Sequence, residues 1–205
     1  MKFSNFFIPT SKEFPTDSEI LSQKLMFRAG MMKKVSAGLF MYLPLFNRMI
    51  RKVSDVIRGE LEKIGCLELK FPILTSKDDL DATNRWNAFG EEMFRVTDRH
   101  GNEYAISPTN EEAACVAAKN YVRSYKDLPF SIYQIQQKHR DEIRPKNGIM
   151  RAREFIMKDA YSFHANAKDL DDYYEKMRVA YFNIFNGLGI DVVAVNADTD
   201  RKSVV

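Results

Sequence analysis

Between Lys138 and His164, two segments of extended character flank the run Arg144-Pro145-Lys146-Asn147-Gly148, and both segments are rich in arginine and carboxylate. Proline, asparagine and glycine each favour a reversal of chain direction for a different backbone reason, so the segments are expected to pair as two adjacent β-arms. Successive side chains of a strand alternate between faces. Counting by two puts Lys138, Arg140 and Glu142 on one face of the first arm, and Arg151, Arg153, Phe155, Met157, Asp159 and Tyr161 on one face of the second. Such a face is poorly suited to a dry core. It is well suited to holding a planar aromatic group and a phosphate, because guanidinium forks pair with phosphate oxygens and a ring can stack on a base.

The rest of the chain supplies hairpins and amphipathic helices. Over residues 47–64, Met49, Ile50, Val53, Val56, Ile57, Leu61 and Ile64 recur at three- and four-residue steps, with Gly65 where a left-handed cap is needed. Residues 68–74 read as a strand interrupted by Pro72, which lacks an amide donor and so favours an edge. Residues 94–97 and 103–107 read as hairpin arms around Asp98-Arg99-His100-Gly101, and residues 111–121 as an alanine-rich helix with Thr109 or Asn110 as its N-cap. A second helical stripe of Leu170, Tyr173, Tyr174, Met177, Tyr181, Ile184 and Leu188 is expected to be core, followed by a short apolar strand over 190–195. Strands in hairpins, without regular strand–helix alternation, predict an α+β fold with an antiparallel sheet flanked by helices.

Composition sets limits without naming a function. With 205 residues, 45% of them hydrophobic, the chain can bury one sizeable core. The formal charge of +3, from 31 basic and 28 acidic residues, gives little reason on its own to invoke nucleic acid. Cys66 and Cys115 are isolated, without metal-ligand spacing, and read as reduced thiols of a cytoplasmic protein. No apolar run reaches the roughly 18 to 20 residues of a membrane span, and no metal site is expected. Gly-rich dinucleotide and phosphate-loop fingerprints are absent, so a nucleotide would be gripped by side chains.

Arg140-Asp141-Glu142 followed by Arg151, Phe155 and Asp159 resembles motif 2 of the class II aminoacyl-tRNA synthetases. Ser107-Pro108-Thr109-Asn110-Glu111-Glu112 is similar to the amino-acid-binding loop of the bacterial prolyl-tRNA synthetases, and Gly65 with Pro72 matches motif 1, through which such enzymes usually dimerise. Further likeness runs through Arg28-Ala29-Gly30-Met31, Arg85-Trp86, Tyr133-Gln134-Ile135-Gln136 and Met157 to Phe163. The resemblance implies a class II catalytic fold, incomplete here, and ATP-dependent activation of proline to prolyl-adenylate followed by transfer to tRNA(Pro). It also implies Arg140 as the catalytic residue on the α-phosphate and amino-acid carboxylate, with a surface ion pair to Glu142 or Asp141 as the plainer alternative. Phe155 is then expected to stack on adenine, with Glu142 at the adenine amino edge and Arg151 at the outer phosphates. Thr109 and Glu111 are expected to take the proline ammonium, Asp159 to line the pocket or support an arginine, and Arg144 and Lys146 to touch tRNA.

Several departures accompany the match. His139 stands where Phe is usual, Asn110 where His is usual, and Phe46 where Gly is usual, the last expected to disturb a loop before the helix. Residues 1–199 are expected to form the first part of the catalytic domain and 200–205 a divergent tail, with motif 3, the editing domain and the anticodon-binding domain absent. Mg²⁺ is implied by the family, with its ligands missing. The chain is therefore expected to be a truncated form of low or no activity alone, forming a homodimer or associating with a full-length synthetase. A non-catalytic paralogue or fragment, acting by dimerisation or by binding acceptor-stem RNA, remains the alternative, and a threonyl- or seryl-type enzyme is the nearest rival.

Overall fold

The computed structural model describes residues 2–14 and 20–196. The tail expected over 200–205, with the last residues of the domain expected over 1–199, lies outside the described residues. Helix α1 (Leu21–Arg28) leads into the hairpin of β1 (Met32–Ser36) and β2 (Leu39–Tyr42), then helix α2 (Pro44–Lys63) and the short strands β3 (Leu67–Glu68) and β4 (Leu74–Ser76). Helices α3 (Lys77–Asp81) and α4 (Arg85–Ala88), strands β5 (Arg95–Thr97) and β6 (Glu103–Ile106), and helix α5 (Glu111–Tyr121) follow. The long strands β7 (Phe130–His139) and β8 (Glu154–Phe163) and helix α6 (Ala167–Gly187) complete the order. Strands order as β3-β7-β8 in one sheet and β4-β6-β5 in a second, with β1-β2 pairing separately.

Helix α2 begins three residues before the periodic stripe because Pro44 occupies its first turn, where a missing amide costs nothing. It ends at Gly65, whose φ of 76° lets the Cys66 amide reach Leu61 O and its own amide reach Glu62 O. That closure turns Cys66 back under the helix, where it packs with Leu61 and Tyr133 against Ile57, Ile135, Ala160 and Met177. Tyr133 and Ile135 of β7 and Ala160 of β8 thus form the apolar side of the sheet, covered by α2 and α6. Leu61 is fully buried there, a placement that contributes about 1.5–3 kcal/mol. Phe46 lies within α2, not in a loop; it is buried and stacks on Tyr42 with ring centroids 4.4 Å apart.

Three sequence expectations are corrected. The segment over 68–74 is not one strand: β3 pairs with β7 in parallel, Leu67 opposite Ile132, whereas β4 joins the second sheet antiparallel to β6. Pro72 falls in the gap, and the Phe71 amide is satisfied by Gln134 Oε1 at 3.2 Å instead of by a ladder partner. Residues 190–195 form no strand; Val193 and Val195 are exposed, and no neighbouring strand among the described residues offers them hydrogen bonds. The α6 stripe is only partly core, since Ile184 is buried while Leu170, Tyr174 and Tyr181 are exposed.

The β1–β2 turn braces the loop between β7 and β8. Gly38 O accepts from Arg153 N at 2.9 Å. Gly38 has φ +74°, and a Cβ there would sit 3.0 Å from Arg153 N and from the Pro145 ring. Gly38→Ala is expected to lower stability by about 1–3 kcal/mol through backbone strain; a urea midpoint equal to wild type would show that the loop does not rest on this turn.

Candidate active site

The opposite face of the β7–β8 pair is polar. Lys138 lies opposite Phe155, Gln136 opposite Met157 and Gln134 opposite Asp159, so the alternation read from the sequence is realised in the register. It stops sooner than expected. β7 ends at His139 and β8 begins at Glu154, leaving Arg140, Glu142, Arg151 and Arg153 in the connection. Asn147 (φ 57°) and Gly148 (φ 62°) turn the chain out of extended geometry, and outside the ladder the two arms are joined by a Lys146–Arg151 bridge, the Arg140 N to Arg153 O bond of 2.9 Å and side-chain contacts of Arg151 and Arg153.

Arg140 nevertheless projects over the polar face. Its guanidinium carbon is 5.6 Å from the centroid of the half-buried Phe155 ring, and Nη2 donates to Pro108 O at 3.4 Å. Its Nε is buried without a hydrogen-bond partner, and Arg140 forms no ion pair among the described residues. The neighbouring carboxylates are engaged elsewhere: Asp141 lies 3.4 Å from Arg153, and Glu142 binds Arg151 Nε at 2.6 Å. The Arg151 bond and the Arg144 amide hold the Glu142 carboxyl below its usual range despite some burial. Arg144 and Lys146 are exposed on the loop beside Glu142 and Arg151.

Thr109 and Glu111 stand at the start of α5. Burial disfavours ionisation of Glu111, but hydrogen bonds from Arg85 and Thr109 outweigh it and hold the carboxyl below its usual range. Arg85 Nη1 reaches Glu111 Oε2 at 2.9 Å and Glu112 Oε1 at 3.1 Å. Asn110 occupies the N-cap position, yet its side chain does not cap the helix. Its Oδ1 accepts from Gln134 Nε2 at 2.8 Å and from the Lys138 ammonium, while its backbone N–H donates to the Tyr161 hydroxyl at 3.0 Å.

Asp159 closes the floor. Its Oδ2 accepts from Gln134 Nε2 at 3.0 Å and from Tyr161 OH at 2.5 Å, and the Lys138 ammonium is 3.3 Å away. Burial and the bond to Asp159 push the Tyr161 hydroxyl pKa far up, so it serves as a neutral donor. Beside these groups lies a cavity of about 410 Å³, lined by Thr109, Glu111, Asp159, Tyr161, Tyr173 and Tyr181. Tyr173, Tyr174 and Tyr181 of α6, expected as core, border this cavity instead.

The structure thus brings Thr109, Glu111, Arg140, Phe155 and Asp159 to one region, with Glu142 and Arg151 at its loop end. Sequence reasoning missed Arg85, Asn110 and Gln134 as members of the site, and Lys138 as its buried cation. The parity that singled out Arg140 also pointed to Lys138 and Gln134. Arg85 stood in the family likeness without a role, because it meets Glu111 across 26 residues of chain. Each site carboxylate is already matched by a cation. Among the described residues, no group of three or more His, Cys, Asp or Glu stands where it could hold a metal ion, so the residues present do not form a Mg²⁺ site.

Residues 94–204 match the tRNA synthetase class II core domain (G, H, P, S and T). The chain is 51% identical over 199 residues to a proline–tRNA ligase of Leptospira biflexa, covering 97% of this chain and 34% of that protein. It is 48% identical to one of Xanthomonas oryzae, with 97% and 35% covered. The chain therefore spans about a third of the length of these curated relatives. Among solved structures, the Giardia lamblia prolyl-tRNA synthetase in complex with prolyl-adenylate superposes with a TM-score of 0.74 at 25% identity, covering 80% of this chain and 34% of that one. The Cryptosporidium parvum enzyme, complexed with L-proline and AMP, shares the fold at a TM-score of 0.71 and 21% identity, covering 82% and 33%.

Proposed function

The chain belongs to the class II tRNA synthetase core-domain family, and on that premise we propose that it carries proline- and ATP-binding residues of a proline–tRNA ligase. In this reading the carboxylate oxygen of proline attacks the α-phosphorus of ATP. A C–O–P bond forms, the bond to the β-phosphate oxygen breaks, and pyrophosphate leaves. The 3′ end of tRNA(Pro) then takes the prolyl group and AMP departs. No side-chain nucleophile takes part, so the protein's work is to align two anions and neutralise charge building at phosphorus.

Arg140 bridges the α-phosphate and the amino-acid carboxylate. Thr109 and Glu111 receive the secondary ammonium, with Asp159 lining the pocket behind them. Phe155 stacks on adenine, Glu142 faces the adenine amino edge, and Arg151 meets the outer phosphates. Arg144 and Lys146, on the exposed loop, contact the acceptor end of tRNA. A dimer forms through the motif 1 region, where Leu67, Ile73 and Leu74 are exposed apolar side chains. No described helix is long and apolar enough to cross a membrane, and the cytoplasm is the proposed location. No step is routed through a metal ion.

The observation that carries this reading is the Arg140 guanidinium, set between the Phe155 ring and the Pro108 carbonyl that leads into Thr109 and Glu111. Calorimetry of the chain with glycine, histidine, proline, serine and threonine tests the choice among the five specificities of the family. Proline alone is expected to bind, and binding of threonine or serine in its place would refute the assignment.

A further inference from the structure

Lys138 precedes Arg140 by two positions on the polar face, yet its side chain is fully buried. Removing an ammonium from water costs several kcal/mol unless it is paired, and an apolar residue of similar volume is often at least as stable in such a place. Burial pushes the Lys138 pKa down, with Asp159 and Glu111 acting against that shift and Arg140 adding to it. What the ammonium gains is position. It lies 3.3 Å from Asp159 on β8 and donates to Asn110, the residue between Thr109 and Glu111. Asn110 is itself almost wholly buried, and its other bonds run to Gln134, Ser107 and the Tyr161 hydroxyl. One cation therefore ties together the three segments that present Arg140, Asp159 and the Thr109–Glu111 corner.

Resting on the functional reading above, we infer that Lys138 is a positioning residue, whose buried ammonium bridges Asn110 and Asp159 and so holds the Thr109–Glu111 corner in register with Arg140. It touches neither substrate. Its effect falls on the amino-acid side of the site, because its ammonium bonds to Asn110 and Asp159 and not to Phe155 or Arg151 at the nucleotide side.

The test measures L-proline and ATP affinities of the full chain by calorimetry for wild type, Lys138→Met, Asn110→Ala and the double variant, with thermal melts alongside. Each single variant is expected to weaken proline binding about tenfold, as for loss of a charge-assisted hydrogen bond, while ATP affinity changes by less than about threefold. The double variant should be no weaker than the worse single one, because both changes cut the same bridge. Unchanged proline affinity in folded Lys138→Met, equal losses for proline and ATP, or additive losses in the double variant would each overturn the inference. Should Lys138→Met fail to fold, Asn110→Ala decides by the same proline-against-ATP comparison. Absence of proline binding by the wild type is a different result, which removes the functional reading and the inference with it.

Discussion

Arg140→Lys should weaken binding of a non-hydrolysable prolyl-adenylate analogue by about 10- to 100-fold, the range set by losing one or two hydrogen bonds between charged groups. It should leave the urea midpoint near wild type. The two halves of this expectation come from the same geometry. Among the described residues, the Arg140 side chain makes a long bond to Pro108 O, alongside the ring contact with Phe155. The surface ion pair that offered the plainer explanation is not made, because Asp141 turns to Arg153 and Glu142 to Arg151. A fork so lightly used by its own fold has little stability to lose. Lysine keeps the charge but cannot present two parallel donors to a phosphate and a carboxylate. Calorimetric titration of both proteins decides the matter: equal affinities would mean that Arg140 does not grip the ligand, and a large drop in stability would mean that the residue is structural.

Much of this arrangement can be read from spacing, and the failures have physical causes. Alternation across β7 and β8 is a local property of extended backbone, so the faces of Lys138, Phe155, Met157, Asp159 and Tyr161 follow from counting by two. Counting cannot tell where a strand stops. The ladder ends at His139 and Glu154, and Arg140 and Arg151 reach the site from the connection. Helix α5 has the bounds expected from its sequence, but Asn110, one of the two residues expected to cap it, spends its side chain on Gln134 and Lys138 because burial offers it stronger partners. The split of residues 68–74 between two sheets depends on which long strand accepts each half, and no pattern within seven residues encodes that. Arg85 has the same character: its meaning lies in two carboxylates far along the chain, brought near by the turn from β6 into α5.

Removal of that arginine is expected to produce the larger loss of stability. Arg85→Met leaves Glu112, whose side chain is 3% exposed, with the Thr83 hydroxyl at 2.9 Å as its remaining side-chain donor, and takes from Glu111 the strongest of the hydrogen bonds that depress its pKa. Breaking a buried pair by deleting one partner typically costs about 3–5 kcal/mol, a large part of the roughly 5–15 kcal/mol that holds a domain together. The pH dependence supplies the signature. In the wild type the folded Glu111 pKa lies below its ordinary value of 4.5, so its contribution is complete above that value and fades as pH falls through the folded one. In the variant the partial burial of Glu111 acts without the arginine, which favours the protonated carboxyl. The gap in urea midpoint between the two proteins should therefore be widest near about pH 7 and narrow toward about pH 5. A gap that stays constant across that range would trace the loss to the contact between Arg85 and the Phe89 ring, 5.1 Å apart, and not to the carboxylates. If the gap narrows as expected, Arg85 is the residue that keeps Glu111 ionised in the cavity lining, and this is the negative charge that the proposed function assigns to a proline ammonium.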